Sequence, residues 1–547
     1  MKKFFQCRGK APWTLRRWGL SVLSNAGIIF LYARLSEWFL YDNPTLHGKE
    51  LLILGALFFA LHGMTGRKSD YFLTAFVVVL LMGAYDLEID LHGVTPTVST
   101  IALLPNTRDL LGIWYYALLI ALGLFFLGLL WWWICGWTYM LDALRRVRAA
   151  FLAVELRLIG LLAWVLFMWY EPVYHNFLVD EYRFADWNNR EETEYNGRFR
   201  AFLVHDWRHR LSGMRLRSYQ YPFDQPPDAM LYPCIPQERP NIYCIQLESF
   251  VDPRFWDGYR FDRSPLHPAL RRHLQADTLC AVISPEYGGY SCQTSFEILT
   301  GTPALQRVSA VEFVLLDGYP TYSLPTQLEK HGYYTAFFSA DRSFYYNSRM
   351  AFRSLGFDTL VYMLDLRKYY KMFRLAGKTT PDDSLYAFVL QHLDRMPKPH
   401  FVYMVTMYGH WPPRMNADMG PDSVSVEPAQ DNIRIYANYM YYRTRALGRF
   451  IDALLQRDSN AVILAFADHL PPHSATHVQG YRYDRFHVPA LLIYKGRSMD
   501  ISELPMHELP VLLYHLLCGE STDGRPKLDG ATKEYLYWEV LRKARNY

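Results

Sequence analysis

Three apolar runs end in groups that bind metal ions or move protons. Ile242–Leu247 runs into Glu248, Phe401–Thr406 continues through Met407–Gly409 to His410, and Ala461–Phe466 leads to the pair Asp468–His469. A fourth run, Val488–Tyr494, is preceded by His487. Singly, each has a plain structural explanation: a Glu after a strand caps a helix, and an Asp-His pair makes an exposed turn. Repeated at equivalent positions, they predict one site. Carboxylate and imidazole form a mixed donor set suited to a divalent ion such as Mn²⁺, Zn²⁺ or Mg²⁺. A hydroxyl nucleophile would complete it. Ser291–Glu297 follows the glycine-containing loop Glu286–Tyr290 and leads into the helical run Phe296–Leu299. Thr294 with Glu297 has capping-box spacing, which predicts Thr294 at a helix N-terminus. There the free N–H groups and the dipole favour a phosphoryl oxygen. Metal coordination would turn the hydroxyl into a nucleophile. Cys292 and Ser295 are rivals for that role.

The elements that must position these residues start at Asn241. Ile242–Leu247, Tyr334–Phe338, Phe401–Thr406, Ala461–Phe466 and Val488–Tyr494 predict strands. Leu324–His331, Ser384–Met396 and Asn432–Arg457 predict helices between them. Strands apolar throughout and alternating with helices predict an α/β fold with a mainly parallel sheet covered on both faces. Ligands of such sheets sit at the carboxyl ends of the strands, where the chemistry-bearing residues fall.

The first third of the 547 residues has a different character. Ile113–Trp137 carries no charge and is long enough to cross a hydrocarbon core of about 30 Å. Leu20–Tyr41, Leu51–Met64, Tyr71–Tyr85 and Ala149–Tyr170 are weaker candidates. The loops decide the count. Lys2, Lys3, Arg8, Lys10, Arg16 and Arg17 precede the first run, Arg67 and Lys68 follow the second, and Arg145, Arg146 and Arg148 follow the fourth. The loop after the third is acidic, with Asp86, Glu88, Asp90 and Asp109. Basic loops on alternate sides predict five spans with the N-terminus inside and everything after Tyr170 outside. The resulting division is a transmembrane domain over 1–172, a juxtamembrane helical connector over 173–238, a catalytic domain over 239–525 and a C-terminal tail over 526–547. A net charge of +4 gives no argument for nucleic acid as a partner. Seven cysteines without a Cys-x-x-Cys pair argue against a zinc ribbon or a disulfide framework. Cys234, Cys244, Cys280, Cys292 and Cys518 leave room for a single bridge in the second half.

The ordered set of motifs resembles the lipoteichoic acid synthase and phosphoglycerol transferase family of the alkaline phosphatase–sulfatase superfamily. The pieces are Gln246-Leu-Glu-Ser249, Gln293-Thr-Ser-Phe-Glu297, Leu355-Gly-Phe-Asp358, Thr406-Met-x-x-His410 and Phe466-Ala-Asp-His469, with Val488-Pro489 downstream. The resemblance implies a sulfatase-like, mainly parallel sheet flanked by helices. It implies one metal ion, Mn²⁺ first with Mg²⁺ or Zn²⁺ as alternatives, on Glu248, Thr294, Asp468 and His469. Thr294 would attack a phosphatidylglycerol-like lipid, release diacylglycerol and carry the phosphoglycerol group until a glycan or polymer hydroxyl takes it. His410 would contact the head group as general acid or base. Asp341, Tyr345, Tyr346 and His487 join the substrate-binding set. The expected location is a bacterial plasma or inner membrane, multi-pass, with the catalytic domain outside the cytoplasm. Two positions depart from the family: Ser339-Ala340 stands for His-Gly, and Asn347-Ser348 for Asn-Arg, leaving Arg349 and Arg342 as replacements for the arginine. A sulfatase would need Cys-x-Pro-x-Arg, but Thr294 and Phe296 occupy those places after Cys292. The remaining alternatives are a phosphoethanolamine transferase on the same scaffold and a catalytically inactive membrane sensor or scaffold.

Overall fold

The computed structural model describes residues 162–546 apart from 186–187, 221–222, 224, 310, 342, 344, 363–379, 411–419, 472–480 and 520–527, and scattered residues between 49 and 159. The chain divides into two units, residues 1–211 and 212–547.

In the first unit most of the five expected spans lie outside the described residues. Among the described residues no helix is long and apolar enough to cross a membrane. Residues 162–168 of the fifth expected span are helical, and Leu162, Leu166, Phe167 and Tyr170 there are more than half exposed. Downstream come helices α1 (Asn189–Asn196), capped by the Asn188 side chain on the Arg190 N–H, and α2 (Arg198–Ser218). Both fall in the expected connector.

Among the described residues the second unit has ten strands: β1 Ile242–Leu247, β2 Arg260–Phe261, β3 Cys280–Ile283, β4 Tyr334–Ser339, β5 Thr359–Val361, β6 His400–Val405, β7 Val426–Glu427, β8 Val462–Ala467, β9 His487–Tyr494 and β10 Arg497–Met499. Eight of them form one sheet in the order β10-β9-β8-β1-β6-β4-β5, with β3 also on β9. β8, β1, β6, β4 and β5 are mutually parallel. β1 lies at the centre with every residue buried, which is why its sequence is apolar throughout rather than alternating. The sequence anticipates all five of its long strands. It does not show that β9 runs antiparallel to β8, since a buried strand reads the same in either direction. The short edge strands β3 and β10 also escape it.

Helices α3 (Ser291–Thr300), α4 (Leu324–Lys330), α5 (Ser348–Ser354), α6 (Asp382–Leu393), α7 (Asp431–Arg457) and α8 (Leu509–Leu517) flank the sheet. In α7 Tyr436, Met440, Leu447, Ile451 and Leu454 recur at helical spacing and are buried. Residues 526–547, expected as a tail, include a further helix, α9 (Gly530–Ala544). The Tyr537 hydroxyl donates to Glu312 Oε1 at 2.9 Å and accepts the Arg307 and Val308 N–H groups at 3.0 and 3.1 Å. Buried hydrogen bonds of this kind make α9 part of the domain. Among the described residues one bridge is present, joining Cys234, ahead of β1, to Cys518 at the end of α8.

Candidate active site

β1, β6 and β8 end side by side, with Gln246 opposite Val405 and Phe466. The next residues therefore emerge at one edge. Glu248, Asp468 and His469 are all buried, and one donor atom from each lies within 4.8 Å of the others. His469 Nε2 is 3.7 Å from Glu248 Oε1 and 3.6 Å from Asp468 Oδ2. His469 Nδ1 faces the Leu470 carbonyl at 3.0 Å. A proton held there leaves the Nε2 lone pair turned to the carboxylates, the arrangement metal-binding histidines use.

A hydroxyl does join them, and it belongs to Ser291. Its Oγ donates to Glu248 Oε2 at 3.1 Å and lies 3.2 Å from His469 Nε2. Thr294 stands one turn further along α3. Its hydroxyl donates to the main-chain carbonyl of Asp468 at 2.8 Å and neighbours Ser284 Oγ at 3.3 Å. The cause is the helix start. The capping-box reading begins the helix at Thr294, whereas α3 begins at Ser291 behind Tyr290, whose φ of 57° is left-handed and whose side chain makes no cap. The dipole argument thus applies to Ser291. Glu297, the supposed partner in that box, instead accepts the Ala304 N–H at 2.9 Å.

The charges in this cluster do not balance. Burial and the Glu248 charge push Asp468 up to about 7. Burial also opposes ionisation of Glu248, but His469 and His410 outweigh it and hold the carboxyl below its usual value. Burial works against a proton on His469, and Asp468 and Glu248 reverse it, raising its pKa. Asp468 Oδ1 accepts the N–H groups of Ser249 and His469 at 2.8 and 2.7 Å. Asp468 Oδ2 is buried with no hydrogen-bond partner. A divalent cation satisfies that oxygen and the excess charge together. The spacing is compatible: His469 Nε2 lies 3.7 and 3.6 Å from one oxygen of each carboxylate, near the ~3.4 Å between donors on a tetrahedral shell of ~2.1 Å bonds. The residues present fit a metal ion.

Two further groups, to which sequence reading gives no role, hold the cluster in place. Gln246 Nε2 donates to the Ser291 carbonyl at 3.1 Å, and its Oε1 accepts from Ser295 at 2.7 Å and from the Tyr403 hydroxyl. Ser295 therefore braces the helix. Arg443, buried on α7, donates from Nη1 to the Glu248 carbonyl at 2.8 Å, from Nη2 to Thr406 Oγ1 at 3.2 Å and from Nε to Asp382 Oδ2 at 2.7 Å. Its signal in the sequence is an arginine among the core positions of an amphipathic helix. Gly409 passes so close that a Cβ there would collide with the Glu248 carbonyl and the Arg443 guanidinium.

The remaining candidates surround this centre. His410 is exposed, near enough for its charge to act on Glu248. Tyr346 has its pKa raised by burial and by the charges of Cys292 and Glu248, and its ring centroid is 6.3 Å from that of Tyr290. Ser249, Tyr290, Tyr346 and Asn347 all have positive φ, between 46° and 57°, a concentration of strain typical of sites. Asp341 and Tyr345 are half-buried beyond the end of β4. Arg349 lies over the Tyr362 ring at 5.4 Å with Nε buried and unpartnered; Arg342 is outside the described residues. His487 is held between Asp484 Oδ1 at 2.8 Å and Glu503 Oε2 at 3.1 Å, and so is not joined to the metal cluster.

Comparison with known proteins agrees with this fold. Residues 240–508 match the sulfatase family model. A putative cyclic beta-1,2-glucan modification protein of Rhizobium meliloti (strain 1021) is 24% identical over 317 residues, covering 56% of this chain and 46% of that protein. The chain thus spans about half the length of this curated relative. Among solved structures, a protein in the alkaline phosphatase superfamily from Vibrio parahaemolyticus is 19% identical, with 60% of this chain and 80% of that one covered and a TM-score of 0.42. The Streptococcus pyogenes phosphoglycerol transferase GacH, in complex with sn-glycerol-1-phosphate, is 16% identical, with 62% and 90% covered and a TM-score of 0.43. Residues 240–508, about half of the chain, are thus similar to the sulfatase family.

Proposed function

We propose that this chain is a membrane-anchored, metal-dependent transferase that moves a phosphoglycerol-type group from a phospholipid to a glycan outside the cytoplasm, with Ser291 as its nucleophile. The observation that carries this reading is the Ser291 hydroxyl, at a helix N-terminus and within 3.1 and 3.2 Å of Glu248 and His469. Glu248, Asp468 and His469 hold the ion, Mn²⁺ first among the candidates. When bound, the ion lowers the pKa of a coordinated hydroxyl and offsets phosphate charge. Ser291 Oγ releases its proton to water and attacks phosphorus, and the bond from phosphorus to the diacylglycerol oxygen breaks. That oxygen leaves with a proton, for which His410 is the exposed imidazole at hand. The free N–H groups at the start of α3 face the phosphoryl oxygens. An acceptor hydroxyl then attacks the same phosphorus, loses its proton and returns Ser291 as a hydroxyl. Asp341, Tyr345 and Tyr346 line the head-group side.

Sulfate-ester chemistry fits less well. The positions after Ser291 that would carry Pro and Arg in the formylglycine motif are Gln293 and Ser295. The Cys234–Cys518 bridge suits an oxidising compartment, as do the alternating basic loops, so we place the domain on the outer side of a bacterial membrane. The relative's description makes a β-1,2-glucan the first acceptor to try.

The test is mass spectrometry of the full chain incubated with Mn²⁺ and phosphatidylglycerol. A phosphoglycerol adduct on the Ser291 peptide is expected, absent in Ser291→Ala and retained in Thr294→Val. An adduct on Thr294 would move the nucleophile back one turn. An ethanolamine phosphate from phosphatidylethanolamine would change the donor. No adduct with any lipid and metal would end the reading.

A further inference from the structure

Behind Glu248 lies a cavity of about 300 Å³ between the start of α6 and the middle of α7. α6 and α7 each lead into a parallel strand, so the start of α6 lies at the sheet edge that carries the site. Asp382, Tyr386, Tyr408, Tyr442, Arg443 and Phe450 are its buried lining residues, and Arg445 and Arg449 stand with Asp383 at its half-buried to exposed rim. Tyr386 and Phe450 are stacked with centroids 4.5 Å apart and rings 8° from parallel.

The lining selects its occupant. Tyr386 Oη and Asp382 Oδ1 are buried without hydrogen-bond partners, and each such group costs about 1–3 kcal/mol until satisfied. The arginine in the floor is already committed to Asp382, Glu248 and Thr406, so the floor offers no cation to an anion, and Arg445 and Arg449 stand at the rim. The Asp382 carboxylate repels an anion. Arg443 equally removes the case for a bound metal. Burial keeps the Tyr386 hydroxyl protonated, so it can donate as well as accept. What remains is a neutral molecule with hydroxyls that both donate and accept and an apolar face to lie on aromatic rings. That is a sugar ring, and a cavity of this size admits one. We infer that this cavity is a saccharide subsite, one ring deep, that seats the acceptor glycan beside the Met407–His410 loop.

This rests on the transfer proposed above, and gives the glycan a place. Arg443 links the subsite floor directly to the main chain of Glu248, so an occupied subsite sits one side chain away from the ligand-bearing residue. Acceptor binding and donor cleavage are then separable. Filling the cavity should weaken acceptor use and spare attack on the lipid.

The probe is a β-1,2-linked glucose disaccharide, added to the full chain in a detergent without a sugar head group. Binding is read by saturation-transfer NMR, and transfer by competition with water for the Ser291 adduct. Ala387 is exposed on α6 at the rim, so Ala387→Trp blocks the entrance without entering the core. Tyr386→Phe removes one hydroxyl and keeps the ring. Both are expected to weaken disaccharide binding and raise its KM about tenfold, with donor hydrolysis changed less than twofold and Tm within a few degrees. Unchanged binding and KM in both variants would overturn the subsite, as would absence of disaccharide binding to the wild-type chain. Failure of the wild type to cleave any lipid would sink the transferase reading instead, and the NMR arm would still decide the subsite.

Discussion

Each unit of this chain buries a carboxylate against an imidazole, and the two clusters are built on opposite principles. In the first unit Glu192 on α1 accepts from the Tyr182 hydroxyl at 2.7 Å and the Ala185 N–H at 3.1 Å, and His205 Nε2 lies 2.8 Å away. Burial opposes its charge, but His205 and the hydrogen bonds prevail, and its carboxyl falls to about 2. In the second unit Glu248 and Asp468 press two carboxylates on one histidine, Asp468 is driven up to about 7, and one of its oxygens has no partner. A cluster that satisfies all its members is structural. A cluster that leaves a buried anion short of a partner is waiting for a ligand, because burial of an uncompensated charge costs several kcal/mol.

The sharpest way to break that contrast is to remove a carboxylate from each. Asp468→Ala should abolish metal binding and lower transfer by about 10³-fold or more, yet leave the metal-free protein folded, since relief of the carboxylate repulsion offsets the Ser249 and His469 N–H groups it leaves unpaired. Glu192→Ala should keep the metal and lose about 2–4 kcal/mol of stability, because the Tyr182 hydroxyl and Ala185 N–H are left buried and unpaired. Metal analysis and thermal unfolding of both variants decide. Metal loss in Glu192→Ala, or unfolding of Asp468→Ala, would erase the distinction.

Within the second cluster, two hydroxyls on α3 differ in the same way. Ser291 faces the ligands, whereas Thr294 spends its proton on the Asp468 carbonyl. Ser291→Ala should cost as much activity as Asp468→Ala, since nucleophile and metal act as a unit. Thr294→Val should cost about tenfold, by loosening the turn that carries Asp468 and His469. Equal losses in lipid cleavage would mean that both hydroxyls take part in the chemistry.

This pair also shows how far sequence reading reaches. Strand ends are legible because buried parallel strands are apolar and stop abruptly at charged residues, so Glu248, Asp468 and His469 stand out. The hydroxyl is not legible to the same degree. A capping box is a pattern of residue types, and Thr294 with Glu297 satisfies it inside a helix that has begun one turn earlier. The turn at Tyr290 is held in a left-handed conformation that residue type alone does not announce. Arg443 and Gln246 are hidden for another reason: what they hold lies far away along the chain, and only the folded sheet brings it near.

A smaller effect is expected at Gly409. Its lack of a side chain lets the loop after β6 pass the Glu248 carbonyl where Arg443 holds it. Gly409→Ala would place a Cβ well inside contact distance of both groups, so they would have to move by about 1 Å. Displacement of that size in a catalytic group costs up to about 10²-fold. The expected signature is lower turnover with the metal retained, whereas full activity would show that the loop can retreat.

The smallest effect lies in pH, and its sign differs between the two units. Asp468 is raised from 3.8 to about 7 in the metal-free fold. Between those values the folded chain keeps a proton that the unfolded chain has lost, so Asp468 makes stability fall as pH rises through that window. Glu192 is lowered from 4.5 to about 2, so its contribution is present above about 4.5 and is lost as pH falls toward 2. Chelated protein moved from pH 7 to pH 5 should therefore gain a few degrees in the unfolding of the second unit and nothing from Glu192. Saturating Mn²⁺ should reverse the first trend, because the ion needs Asp468 deprotonated and competes with its proton. Unfolding curves at both pH values, with chelator and with Mn²⁺, test this directly. A chelated protein more stable at pH 7 than at pH 5 would show that the two carboxylates are compensated by something other than a cation.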